Sequence, residues 1–489
     1  MRTRIYKIGI LLIGLSIFQA CSDFVDVQPI NQINSENFFN TPDDYDQALI
    51  GVYDLLASTY LNVILGEIAS DNTLCGGENA NDVPGWQNID NMTHTSANDQ
   101  LQNLWNWMYA GINRANYLFE FQDKIDFPEK EAILGQAAFL RAYYYFELVK
   151  WFGDVQMPID ARVNFNEVQS YDRVPTATVY QQIETDLNRA VNALPATQSE
   201  LGRVTSGAAQ ALLGKVRIYQ GKFEEAKAPL DAVINGGQYQ LQDDFSTLFL
   251  QQSENGVEAV FEVQYSNIQG AGFGCLQCSE GNVAVGFSGI RGYNGPTYAS
   301  GFSFNLPTAE LAGQYADNDL RKDPTIFDIL AFQAEQAENG VEVAFSEGFE
   351  HTGFYNHKYI PRQGESFQDP NLTNATNYRA IRFADVLLLA AEAYQETGND
   401  DQARTYLNQV RARAGLDAVT ASGADLKEAI FQERRLELAG EGHRFFDLVR
   451  TGRAAGVIPG FEAGKHELFP LPLLERELAG NIWAQNPGY

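Results

Sequence analysis

The chain is short of positive charge, histidine and cysteine, and each shortage removes a class of function. Against 63 Asp and Glu, its 489 residues carry only 34 Lys and Arg, for a formal net charge of -29. A surface this acidic repels phosphate backbones and anionic lipid headgroups, which sets aside nucleic acid and purely electrostatic membrane adsorption. The five histidines, His94, His351, His357, His443 and His466, form no HExxH or other close ligand pair. No GxSxG nucleophile elbow and no GxxxxGK[ST] phosphate loop occurs. A glycosidase needs two carboxylates placed across a bond, and no motif marks such a pair. These patterns request no catalytic residues, no cofactor and no metal, so the reading is of a protein that is not an enzyme.

Beyond the first twenty residues no stretch reaches the roughly 18 apolar residues of a membrane span. The N-terminus itself reads as an export signal. Arg2, Arg4 and Lys7 precede the apolar run Ile8 to Phe18, too short to span a bilayer, and small Ala20 precedes Cys21. A cysteine placed there reads as a lipidation site, with residues 1–20 removed and Cys21 anchoring the chain to a membrane. The residues Phe18-Gln19-Ala20 are a loose lipobox. Cys75, Cys275 and Cys278 remain, an odd number that cannot all pair. In an exported protein one disulfide is expected, within Cys275-Leu-Gln-Cys278 or to Cys75. No second CxxC or His pair completes a metal site.

Apolar residues are 45% of the chain and aromatics 12%, with 31 Phe and 23 Tyr, enough for a large core and for flat contact surfaces. The periodic signals are helical. Ala137, Ala138 and Ala142 lie among Phe139, Leu140, Tyr144, Tyr145 and Leu148 between Ile133 and Trp151, a mixture that lets helices approach closely. Thr176 is a plausible N-cap for a run that Pro195 ends. From Ala208 to Ile234, Gly214, Gly221, Phe223, Ala226, Leu230 and Val233 occupy the small, Gly, aromatic, Ala, bulky and apolar positions of a tetratricopeptide repeat. Ala391, Gly398, Ala403, Leu407 and Val410 each lie 177 residues after their counterparts, without a gap. The expected fold is therefore mainly α, a tetratricopeptide-like helical-repeat scaffold with long irregular insertions carrying a few short strands. The insertions are 71–98, 252–305 and 331–377, rich in Gly, Asn, Ser and aromatics, with Val257 to Tyr265 reading as a strand. Ser422 and Asp425 read as a capping box. Glu433, Arg434, Arg435, Glu437 and Glu441 read as ion pairs at the rim of a core, because arginine offers bidentate pairing and no proton chemistry.

Several stretches together resemble the SusD/RagB family. They are Glu433 to Leu438 followed by Glu441-Gly442-His443-Arg444-Phe445-Phe446-Asp447-Leu448-Val449-Arg450; Arg382 to Leu388 leading to Ala391-Glu392-Ala393; Leu407 to Gly415; and the terminus Gln485 to Tyr489. The resemblance implies a lipid-anchored protein on the outer surface of a Bacteroidetes-type outer membrane. It would bind and not cleave, capturing a nutrient oligomer, typically an oligosaccharide, for a SusC-like TonB-dependent transporter. On that basis residues 21–240 form the N-terminal region with the first repeats, 241–330 a loop-rich insertion and 331–489 the C-terminal region.

A sugar polymer needs flat aromatic faces and hydrogen-bonding amides or carboxylates. The insertions offer Trp86 with Asp71, Asn72 and Asn81, and Arg291 with Tyr293, Tyr298 and Phe302. Trp86 with Tyr293 or Tyr298 is the expected stacking platform; the alternative is that these rings only anchor loops. Alternatives for the whole protein are a repeat scaffold that assembles proteins without a small ligand, a peptide-capturing member of the family, and a surface hydrolase.

Overall fold

The computed structural model describes residues 38–489 apart from 160, 368 and 370; the export segment, Cys21 and the tether after it lie outside the described residues. Nine helices carry the scaffold: α1 (Pro42–Asp54), α2 (Asp99–Glu120), α3 (Lys130–Phe152), α4 (Thr176–Ala193), α5 (Ser206–Tyr219), α6 (Phe223–Asn235), α7 (Phe383–Glu396), α8 (Asp400–Arg413) and α9 (Gly423–Leu438). From α2 to α8 each packs on the next, α1 lies against α2 and α3, and α9 closes the row against α7 and α8. Small residues set the spacing. A Cβ on Gly135 would sit 2.8 Å from Ala193, and one on Gly214 would meet Leu230 at 2.5 Å.

The two copies of the repeat are helical hairpins, α5–α6 and α7–α8, and α6 packs on α7 so that the copies are neighbours in space. Their turns pass through Gly221 at φ +70° and Gly398 at φ +78°, left-handed backbone that a side chain makes costly. Ala226 and Ala403 are fully buried where the hairpin helices close. Two expected caps differ. Pro175, not Thr176, precedes α4, and the Thr176 hydroxyl donates to Asp154 at 2.8 Å. Ser422 precedes α9 without a capping box, and its hydroxyl accepts from Arg404 at 2.9 Å.

The helical run Pro42–Ile68 is long and apolar enough to cross a membrane by composition, yet 61% of its apolar window is buried inside the protein. It is a core element, which explains why so much apolar sequence gathers there.

The segment between α6 and α7, joined by the one between α1 and α2, makes the irregular layer. Its strands are short and pair antiparallel: β1 (Thr73–Gly76) with β5 (Phe304–Pro307), β4 (Ala259–Val263) with β8 (Tyr378–Arg382), and β6 (Ile326–Asp328) with β7 (Phe354–Asn356). A fourth pair, β2 (Val155–Gln156) with β3 (Arg173–Val174), lies beside the scaffold helices. The pairing of β6 with β7 runs across residues 330 and 331, where the sequence reading divides the chain.

A buried ionic network bolts this layer to α9. Arg321 reaches Glu433 at 2.6 Å and Glu437 at 3.1 Å; Arg382 reaches Glu258 at 2.5 Å and Glu441 at 2.8 Å; Lys358 reaches Glu441 at 2.7 Å. These groups lie in the interior, not at the rim that the sequence pattern implies. Burial alone would raise the Glu437 carboxyl, but the surrounding Arg413, Arg382 and Arg321 hold it well below the usual carboxylate range. His443 is part of the same interior, with Nδ1 3.3 Å from the Lys215 ammonium; burial and that cation push it down to about 3, so it stays neutral.

Candidate functional site

The irregular layer exposes one aromatic assembly, and it is built from the inside outward. Trp86 sits on the short helix Pro84–Asp90, whose entry residue Val83 holds a left-handed φ of 45°. Only 2% of Trp86 is exposed, and its indole donates to Gln100 at 3.0 Å. Edge-on contacts pack it against Phe287 at 4.8 Å and Phe304 at 4.9 Å. Phe287 contacts the half-buried Phe302 at 5.5 Å, and Phe302 meets Phe273 edge-to-face at 5.6 Å. Phe273 is 61% exposed. Four rings thus run from the core to solvent, and only the last offers its face.

The loop that carries Phe273 is held on both sides. Cys275 and Cys278 form a disulfide within it. Asn267 donates to the Glu365 carbonyl at 2.9 Å, and the Ala271 amide donates to Asp369 at 3.2 Å, tying it to the 363–375 loop. Gly270 leaves room for the Phe367 ring, itself 43% exposed, and Ile268 beside it is 86% exposed. Exposed apolar side chains close to polar Asn267 and Asp369 are a combination that a ligand face requires.

The sequence-selected residues fall in three places. Trp86 and Phe302 underlie Phe273; Trp86 lies on a helix rather than in a loop and does not present a stacking face. Tyr293 and Tyr298, each 7% exposed, belong to a separate small core with Phe327 and Tyr355. Their hydroxyls are spent on the Pro296 carbonyl at 2.6 Å and on His357 at 2.9 Å. The platform expected from Trp86 and these tyrosines is therefore corrected: the three rings anchor loops. The reason is size. Rings this large are drawn inward by the apolar area they remove from water, Trp86 into the main core and Tyr293 and Tyr298 into the smaller one.

The polar choices divide likewise. Asn72 is fully buried and accepts from Arg435 at 2.9 Å, so it is not open to a ligand. Asp71 is held by Arg444 at 2.7 and 2.8 Å, and Arg444, Arg435 and its other contacts keep its carboxyl below the usual range against the pull of burial. Asp71 lines a cavity of about 650 Å³ with Asp90, Glu350, Glu310, Arg435 and Arg444. Burial, with the Glu350 carboxylate beside it, pushes Asp90 up to about 7. Arg291 pairs with Asp82 at 3.2 Å and donates to the Phe302 carbonyl at 2.8 Å, so it fastens the 77–82 loop beneath the aromatic assembly. Asn81 is exposed in that loop. Cys75 is buried and free, and burial pushes its thiol far up, which leaves it inert. Phe273 was not among the residues singled out from the sequence; the signal there was an aromatic flanked by glycines, Gly272 and Gly274, inside the 252–305 insertion.

Residues 258–489 match the SusD family, and residues 23–219 match a family described as starch-binding, associating with outer membrane. A solved laminarin-binding SusD-like protein is 34% identical and superposes with a TM-score of 0.83, covering 91% of this chain and 99% of that one. The chain belongs to the SusD family. Surface glycan-binding protein A from Bacteroides thetaiotaomicron, solved with laminarihexaose, is 25% identical with a TM-score of 0.80, over 91% of this chain and 99% of that one. SusD-like protein P2 from Formosa agariphila is 27% identical over 99% of both chains. These SusD relatives bear out the helical-repeat architecture, and none of their names denotes an enzyme.

Proposed function

We propose that this SusD-family protein captures a glucan of the laminarin type at the cell surface and passes it to a SusC-like TonB-dependent outer-membrane transporter. The observation that carries the binding site is Phe273, an exposed ring seated on a rigid stack that ends in Trp86. A phenyl face held this way stacks on the apolar face of a sugar ring without paying to order itself, and the neighbouring Asn, Gln and Asp groups accept and donate to the hydroxyls. The 34% identity to a laminarin-binding relative supports the choice of glucan. Lipidation of Cys21 supplies the membrane anchor that a charge of -29 cannot. Division into an N-terminal repeat region, an insertion and a C-terminal region follows the same reading, with the insertion as the ligand-bearing layer.

Burial of Trp86, Tyr293 and Tyr298 is what a pure assembly scaffold would display, and the exposure of Phe273 is what separates the two readings. Titration of the purified protein with laminarin, starch and a peptide panel tests the proposal. Binding of laminarin alone supports it; binding only of peptides, or of no polymer by a folded sample, removes it.

A further inference from the structure

A second exposed ring stands beside the loop that carries Phe273. Phe367, in the 363–375 loop, is 43% exposed. The edge of its ring lies against Gly270. A Cβ built there would sit 2.6 Å from Cδ1 and 2.8 Å from Cε1, so the ring comes this close to the backbone because the residue is a glycine. Gly270 and Phe273 are three residues apart, which limits their Cα atoms to a separation of about 11 Å. The two rings are therefore within reach of neighbouring units of one sugar chain.

Both rings are carried on hydrogen-bonded backbone. The turn around Phe273 is closed by the Cys275 amide, which donates to the Gly272 carbonyl at 3.2 Å, and the disulfide to Cys278 holds the residues that follow. Phe367 is fixed from both directions: its amide donates to the Thr373 carbonyl at 3.0 Å, and its carbonyl accepts from the Asp369 amide at 2.8 Å. The Asp369 side chain then joins the two loops. Its carboxylate accepts from the Ala271 amide at 3.2 Å, the Leu372 amide at 3.0 Å and the Thr373 hydroxyl at 2.6 Å. One carboxylate thus sets the loop that holds Phe367 against the residue next to Gly270.

We propose that Phe367 is a second stacking residue, so that the ligand face grips one glycan chain at two places and selects oligomers over single sugars. Gly270 and Asp369 are the positioning residues of that second ring. The proposal rests on the reading of Phe273 as the first stacking ring and adds a length requirement to it. The physical reason is effective concentration. Once one unit lies on Phe273, the units linked to it are held beside Phe367, and the second contact forms within the same complex. A short ligand gains one contact and a longer one gains both.

Titration of the purified protein with laminarin oligosaccharides, from the disaccharide to the heptasaccharide, tests this, with saturation-transfer NMR for the weakest. Affinity should rise with length up to the oligomer that bridges both rings and then level off. Phe367→Ala should remove that rise: the long oligomers weaken about fivefold, the change expected from uncovering half of the open surface of such a ring, and the disaccharide is unaffected. Gly270→Ala adds only a methyl group but pushes the Phe367 ring off its seat, and should reproduce the effect. Both variants should keep the wild-type unfolding midpoint, since the ring they alter is exposed. No loss in Phe367→Ala, or a loss equal at every length, overturns the proposal. If Phe273→Ala weakens every length while Phe367→Ala weakens none, this inference alone fails; if Phe273→Ala weakens none, the reading beneath it fails as well.

Discussion

Replacing Phe273 with alanine isolates the ligand face from the fold. The side chain is 61% exposed and its one ring contact within the assembly is edge-to-face with Phe302. Loss of so exposed a group should change stability by less than about 0.5 kcal/mol. Binding is another matter. A phenylalanine contributes roughly 150–250 Å² of surface, so roughly 90–150 Å² is open here. A sugar covering about half of that removes some 60 Å² of apolar area from water, or about 1.5 kcal/mol at 25 cal per Å². Phe273→Ala should therefore weaken polymer binding about tenfold, read by isothermal titration or retardation in a laminarin gel, with an unchanged unfolding midpoint in denaturant. Wild-type affinity in a folded Phe273→Ala protein would refute the reasoning, because no other ring of the stack shows its face to solvent.

Trp86→Ala should behave in the opposite way: it removes a packed, hydrogen-bonded indole and costs about 3–5 kcal/mol in denaturant unfolding, with weakened binding following from the collapse of the stack. Arg382→Ala removes the cation shared by Glu258, Glu437 and Glu441 and leaves them only Arg413, Arg321 and Lys358, a net loss of one buried positive charge that should cost about 3–5 kcal/mol; a neutral result would show the network to be ornamental. Glu67 offers a pH test. Burial pushes its carboxyl from 4.5 up to about 7, against the pull of the Gly442 amide, so the fold prefers it protonated. The protonated form carries no penalty below pH 4.5, and a penalty grows to about 3 kcal/mol as pH rises past 7. Glu67→Gln should thus stabilise the protein at pH 8 by up to about that amount and change little at pH 4, measured by urea unfolding at both.

The repeat hairpins were legible because their signal is local and steric. Gly221 and Gly398 sit where the backbone turns left-handed, Ala226 and Ala403 where helices touch, and both constraints act on the residue type itself. The charged run of α9 was legible as structural for the same kind of reason, since arginine pairs and does not titrate. Its depth was not legible, because ion pairs at a rim and ion pairs in a core have the same spacing.

The binding face shows the sharper limit. Trp86, Tyr293, Tyr298 and Phe273 are all aromatics among glycines and polar residues, and local pattern ranks the tryptophan first. Which ring meets solvent depends on how the 77–82, 266–282 and 363–375 loops meet, through contacts distant in sequence such as Arg291 to Asp82, 209 residues apart, and Asn267 to Glu365, 98 apart. Composition, charge, the export signal, the repeat and the family were therefore written in the chain itself, each set by residue type and short spacing. The exposure of one phenyl ring and the burial of three larger ones were decided only when those loops packed, because exposure is a property of what lies opposite a side chain and not of its neighbours in sequence.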